Sequence, residues 1–243
     1  MIFSGYFYIV FATIFGFTAG TIPEYIHVCH RNDPDVAKCI QNSIEALRPK
    51  LVHGIPELSV PGIDPFKLDK IVIFDGSDSN QLTASLNNVE VRNAGNFEIT
   101  KLKLDLDKRI YRVGVRFDLL DMEGDYSVHA RILVAPIDGD GKFYANATDV
   151  EGNVIIQSSL ENNYLRFKSI DFKIKIGDYN VRLENLFKGD PILSQAANQL
   201  INTNKNELIQ LSIPFIERKC SEIFLQLSNK ITENLKYDEL FPV

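Results

Sequence analysis

The 243-residue chain lacks the local signatures of the common enzyme chemistries. It has no Gly-x-Ser-x-Gly elbow, no phosphate-binding glycine loop and no His-Glu-x-x-His pair. Its motifs therefore supply no activated nucleophile, no phosphate cradle and no catalytic zinc, and an enzyme is not expected. It also lacks an excess of positive charge. A formal net charge of −6 disfavours nucleic acid and anionic membrane surfaces as partners. No apolar run after residue 20 approaches a spanning length, so no stable membrane insertion is expected of the mature chain. Tryptophan is absent, and there are three cysteines, Cys29, Cys39 and Cys220.

What is present is a large apolar fraction, 45%, ample for a sizeable core. Ile2 to Phe17 are almost wholly apolar and lead into Thr18-Ala19-Gly20, small residues suited to signal peptidase. Residues 1–20 therefore read as a signal peptide, although no Lys or Arg precedes the apolar run, and 21–243 as one secreted, extracellular domain. The sequon Asn146-Ala147-Thr148 fits an exported chain and marks Asn146 for glycosylation. His27, Cys29 and His30 lack a fourth metal ligand, and Lys142 stands where a calcium loop opened by Asp138 and Asp140 would need an oxygen. No metal and no cofactor are expected. His129, Asp105 and Asp107 fall on the outward phase of their strands.

Periodicity organises the chain into one helix, a long strand region and a second helix. Asp33-Pro34 reads as a cap followed by proline, and Val36, Ile40, Ile44, Leu47 and Leu51 recur at helical spacing until Gly54. In Gly54 to Ile71 three prolines predict an ordered, half-buried connector. From Lys70 to Leu186 the period is two, with Tyr111, Val113, Val115, Phe117 and Leu119 on one face and Tyr126, Val128, Ala130, Ile132 and Val134 on the same face of the next strand. Slips near Asn87-Asn88, Thr100-Lys101 and Ser169 predict β-bulges, and Gly124 and Asp138 to Gly141 predict turns. Asp190-Pro191 opens a helix expected to run to Leu235, about 65 Å at ~1.5 Å per residue. Leu193, Ala197, Leu200, Leu208, Leu211 and Phe215 share one face of it, and Ile209, Ile213, Ile216, Cys220 and Ile223 lie almost opposite. Both faces are apolar around residues 208 to 216, which predicts a helix middle enclosed on all sides, with Pro214 inside it. The fold class is α+β: a long, strongly curved antiparallel sheet wrapped around a long C-terminal helix, with a second, N-terminal helix alongside.

Particular residues carry a family resemblance. The stretch Gly54 to Ile71, the Cys29 and Cys39 pair, Tyr126 with Ile132 to Ile137 and Gly139-Asp140-Gly141, Asn185 to Asp190, and Tyr237 to Pro242 together resemble the insect Takeout and haemolymph juvenile hormone-binding protein family. The resemblance covers nearly all of the mature chain. Asn202-Thr203-Asn204-Lys205 departs from it, since many relatives end this element in tryptophan. It implies a tubular-lipid-binding fold, elongated, with an internal apolar tunnel. It also implies a Cys29–Cys39 disulfide, which the nine intervening residues and an exported setting favour independently. Cys220 then reads as a buried, inert thiol.

The residues by themselves leave a filled core and an elongated apolar pocket equally open, and the resemblance favours the pocket. Its expected lining is Ile40, Ile44 and Leu47 from the first helix, and Val113, Val115, Phe117, Tyr126, Val128, Ala130, Ile132, Val134, Phe143, Ala145, Phe172 and Ile174 from the sheet. Leu200, Leu208, Leu211 and Phe215 complete it from the last helix. Tyr126 is the expected polar handle, because a buried phenol finds a partner, though other tyrosines serve equally. The expected function is a secreted, monomeric carrier of a small apolar ligand, a juvenile hormone-like terpenoid or a long-chain lipid such as a fatty acid. The alternative is a secreted signalling or regulatory interaction protein, with a receptor as partner and a structural cavity, acting in feeding, circadian or chemosensory output.

Overall fold

The computed structural model describes residues 22–75, 83–132 and 135–243, so the expected signal segment and Thr21 lie outside the described residues. Helix α1 spans Val36–His53 and starts two residues later than the Asp33-Pro34 pair suggests. Asp33 instead accepts the backbone N–H of Asp35 at 2.8 Å, a turn that leads into the helix, and Asp35 occupies the cap. Gly54 ends α1 with φ +93°, where a Cβ would meet Gly62 N at 2.7 Å, so the proline-rich connector folds back onto the last turn. The Asp64 carboxylate fixes that connector by accepting from Asn93 N and Gly95 N at 3.1 and 3.2 Å.

Among the described residues seven strands form one antiparallel sheet: β1 (Phe66–Asp75), β2 (Thr83–Arg92), β3 (Glu98–Asp105), β4 (Ile110–Ile132), β5 (Ala135–Glu161), β6 (Tyr164–Lys175) and β7 (Asp178–Leu183). The spine is the β4–β5 ribbon, with strands of 23 and 27 residues in continuous register from Ile110↔Gln157 to Ile132↔Ala135. Each spine strand changes its outer neighbour halfway. β4 pairs with β3 and then β2, and β5 pairs with β7 and then β6.

Gly124 and Asp138 to Gly141, expected as turns, lie within these strands, opposite Phe143 and opposite Tyr126 to His129. Glycine there serves close packing instead: a Cβ on Gly124 would fall 2.8 Å from both Asn87 O and a Phe143 ring carbon. The three expected bulges are present, at Asn87/Glu90, at Ile99/Lys101 and opposite Gln157/Ser158.

Parity also changes midway along the spine. Tyr111, Val113, Val115 and Phe117 face inward with Val150, Gly152, Val154 and Ile156, whereas beyond the middle the inward set is Leu120, Met122, Gly124 and Tyr126 with Phe143, Ala145 and Ala147. The switch coincides with Asp149 at φ +50°, where the Asp118 and Asp149 pair is missing from the ladder. Gly177, between β6 and β7, closes on this kink and donates to Thr148 O at 3.1 Å. Leu119, expected inward, is therefore exposed.

The predicted single C-terminal helix is two, α2 (Pro191–Thr203) and α3 (Lys205–Thr232), followed by the short α4 (Tyr237–Leu240). Asp190 caps α2 as expected, accepting from Ile192 N and Leu193 N at 3.0 and 2.9 Å. The break falls at Asn204 and not at Pro214, because Asn204 returns its side-chain amide to Leu200 O at 2.8 Å and its own carbonyl starts the next helix. The helix α3 runs along β6 and also reaches β1, the opposite end of the strand path, so the sheet curls around it.

Polar side chains fasten the helices to sheet edges. On α2, Asn198 and Asn202 each accept a strand N–H and donate to the same residue's carbonyl, on Leu183 at 2.8 and 2.8 Å and on Val181 at 3.0 and 2.7 Å. On α3, Glu217, Ser221 and Asn229 accept from the backbone N–H groups of Ile174, Phe172 and Phe167 at 3.1, 3.2 and 2.9 Å. Four helical residues rise about 6 Å and two strand residues about 6.7 Å, so an i, i+4 polar row matches alternate strand positions. Edge groups that would otherwise template another strand are thereby covered.

Candidate ligand site on the inner face of the sheet

Cross-strand register assembles the inner face into apolar rows. Leu104, Tyr111, Ile156 and Ile170 form one row, Leu102, Val113, Val154 and Phe172 the next, and Ile99, Val115, Gly152 and Ile174 a third. The Phe172 ring lies 5.6 Å from that of Phe224, which places these rows opposite α3. Gly152 thins the sheet here, since a Cβ would meet Val115 Cγ2 at 3.0 Å and the Phe172 ring at 3.4 Å. Val113, Val115, Phe117, Val154, Ile156 and Ile174 all remain partly accessible, while Arg112, Arg116, Lys173 and Lys175 on the opposite face are exposed.

The other half of the spine is filled. Val89, Tyr126, Phe143, Leu186, Ala197 and Ile201 form a buried cluster, with Val128, Ala145 and Leu208 packed against it. Tyr126 is 4% exposed, and its hydroxyl donates to Glu184 O at 2.7 Å. Burial, helped by the nearby Asp140 charge, pushes its phenol up to about 12. The expected polar handle is thus engaged by the protein's own backbone.

The sequence-derived lining divides accordingly. Val113, Val115, Phe117, Phe172 and Ile174 share the rows facing α3, whereas Tyr126, Val128, Phe143, Ala145 and Leu208 belong to the filled half. Ile40, Ile44 and Leu47 are partly buried on α1, which packs on β3, and Leu200 and Phe215 are partly buried on α2 and α3. Leu211 is 53% exposed, so the helix around residues 208 to 216 is not enclosed on all sides. Val134 lies outside the described residues, as do the side chains of Ala130 and Ile132. Leu102, Leu104, Val154 and Ile156 were legible as alternating apolar positions but were not singled out, whereas Phe224 enters the site only through the path of α3.

The histidines stand away from the rows, in which Tyr111 is the titratable side chain. His27, His53 and His129 are exposed, and His30 meets Val243 O through Nδ1 at 3.0 Å. Cys29 and Cys39 are joined in a disulfide, which leaves neither sulfur as a thiolate for a metal beside His27. Burial first, then the Glu217 charge, pushes the Cys220 thiol up to about 11. Asn146, the sequon asparagine, is exposed on β5.

Known proteins share this architecture. Takeout 1 of Epiphyas postvittana superimposes with a TM-score of 0.74 at 23% identity, over 89% of this chain and 99% of that one. A candidate beta-carotene-binding protein of Schistocerca gregaria is 22% identical over 224 residues, 89% of this chain and 88% of that protein. The circadian clock-controlled protein daywake of Drosophila yakuba is 27% identical over 204 residues, 77% of each chain. The sequence profile of haemolymph juvenile hormone binding proteins (JHBP) matches residues 7–242, and the chain therefore belongs to that family.

Proposed function

We propose that the protein is a secreted carrier that holds one small apolar ligand, a juvenile hormone-like terpenoid or a long-chain lipid, without covalent chemistry. The observation that carries this reading is the set of three apolar rows facing α3 in which Val113, Val115, Val154, Ile156 and Ile174 stay partly accessible beside buried Tyr111, Ile170 and Phe172. Family membership supports a carrier of hydrophobic ligands in general. The placement of all four histidines away from the rows fits binding better than acid–base catalysis. Burying about 400 Å² of ligand would contribute on the order of 10 kcal/mol before association costs.

The test is extraction of protein secreted from eukaryotic cells with organic solvent, followed by mass spectrometry, together with displacement of a fluorescent fatty acid. A recovered apolar molecule and saturable displacement are expected, and N-terminal sequencing is expected to begin at Thr21. A protein that carries nothing and binds no apolar probe would leave the signalling reading. That second reading draws on Ile192 and Leu193, which stand exposed on the first turn of α2, and on a clock-controlled relative.

A further inference from the structure

One end of the spine is sealed by both ends of the described chain. Arg31 donates from its backbone to Pro242 O and from Nε to Phe241 O, each at 2.8 Å, and Tyr237 N donates to Asn163 O at 2.7 Å. Between these segments and the β3–β4 turn lies a cavity of about 380 Å³. Leu106 and Leu160 give it apolar walls, and Arg31 and Arg109 both line it.

The two guanidinium groups differ in their balance of charge. Arg31 is paired with Asp238 and stacked 5.1 Å from the Tyr237 ring centroid, and the second oxygen of Asp238 accepts from Asn163 at 2.9 Å. Arg109 has no ion pair among the described residues, and its Nε is buried with no acceptor. Asp107, which also lines the cavity, is exposed and makes no ion pair with it. The backbone holds Arg109 at φ +55°, with its carbonyl accepting from Ser158 N at 3.1 Å and Ser158 Oγ at 3.4 Å. A non-glycine residue is uncommon there, and the local bonds fix where its side chain starts.

The same group borders the inner face. Tyr111, two residues on, belongs to the first apolar row, and its hydroxyl meets Ser158 Oγ at 3.4 Å. The Arg109 charge lies close enough to pull the Tyr111 phenol down, against the larger upward effect of burial. An unsatisfied buried N–H on a charged group is a feature proteins rarely keep without a partner. Nε and the adjacent Nη present two parallel donors on one edge, and the planar acceptor that matches them is a carboxylate.

We propose that Arg109 is the headgroup receptor of this carrier, binding the carboxylate of a long-chain carboxylic acid whose tail runs past Leu106 and Leu160 toward the apolar rows. This assignment rests on the carrier reading and names its ligand class: an ester of the same chain would lack the charge and the second strong acceptor oxygen, and an alcohol would lack both the charge and the carboxyl plane.

Displacement of the uncharged probe N-phenyl-1-naphthylamine from the full mature chain tests it at pH 8, with hexadecanoic acid, its methyl ester and hexadecanol as competitors. The native protein is expected to prefer the acid at least tenfold over the ester. Arg109→Gln should lose at least tenfold in affinity for the acid and stay within twofold for the ester and the probe, and Arg109→Lys should recover part of the loss. Equal binding of acid and ester by the native protein would overturn the assignment without any variant, as would equal losses for both in Arg109→Gln. If the native protein binds neither probe nor any competitor, the carrier reading itself fails.

Discussion

The two halves of the β4–β5 spine pack differently although one ribbon runs through both. On the β2 and β7 side, Leu186 is fully buried and Tyr126, Phe143, Ala197 and Ile201 close around it. On the β3 and β6 side, Phe172 and Ile170 are buried, yet Val113, Val115, Val154, Ile156 and Ile174 between and beside them stay partly accessible. The helices account for the difference. The helix α2 buries an alanine, Ala197, in the cluster and is drawn to its strand by two double-bonded asparagines, whereas α3 meets the sheet through Phe224. Helix separation follows the bulk of the contacting side chains, and the contact is an alanine on α2 and a phenylalanine on α3. An alanine contact accompanies the closed core and an aromatic contact the open rows; polar ties do not separate the two, since Asn229 on α3 also accepts from Phe167 N and donates to Phe167 O, at 2.9 and 3.0 Å.

The largest expected effect separates a double tie on α2 from a single one on α3. Asn202→Leu should leave both the N–H and the carbonyl of Val181 unpaired, at a cost of about 2–4 kcal/mol. Ser221→Ala removes the acceptor of the Phe172 N–H alone and should cost only about 1 kcal/mol. Urea unfolding of both variants measures the pair, and equal losses would erase the distinction.

A phenylalanine inserted in each half gives the next largest effect. Ala145→Phe, beside the buried cluster, should overpack it and cost about 1–3 kcal/mol while leaving probe binding unchanged. Val154→Phe, in the middle row, should cost less than about 1 kcal/mol and weaken displacement of a fluorescent fatty acid several-fold. Thermal unfolding and probe titration together read the outcome, and a reversed pattern would place the open space in the other half.

The smallest effect concerns Tyr126. Tyr126→Phe removes one hydrogen bond to Glu184 O and should cost about 1 kcal/mol. The wild-type phenol is held at about 12, above its ordinary value of 10.0, so the folded state keeps a proton that the unfolded chain loses. Its contribution is complete below pH 10 and is lost as pH rises through 12. The variant should therefore show a shallower fall in stability over that window, with the remainder set in part by Tyr179, also held at about 12 by burial. Denaturant midpoints measured across that range check it.

Much of the fold was legible because its signals are local. The end of α1 at Gly54, the Asp190 cap and the three bulges depend on a few adjacent residues and appear where expected. The misreadings share a different cause. Gly124 and Gly141 read as turns because glycine is usually a turn residue, but here backbone approaches so closely that a Cβ would fall 2.8 Å from Asn87 O at the first and 2.5 Å from Glu184 O at the second. The continuous last helix read from apolar spacing ignored Asn204, whose side chain competes with the backbone. Tyr126, Val128, Phe143, Ala145 and Leu208 of the expected lining fell in the filled region, since inward phase says which side a residue faces and not how far away the opposite wall stands.

The sequence by itself determined the end of α1 at Gly54, the Asp190 cap, the bulges and the Cys29 and Cys39 pair, because each depends on residues close together along one chain. Only the tertiary structure decided that the spine reverses its face at Asp149, that the asparagines of α2 tie strand edges, that Tyr126 is held by Glu184, and that Arg109 stands unpaired beside a cavity. Those outcomes depend on distances between segments far apart in sequence, and residue spacing along the chain carries no record of such distances.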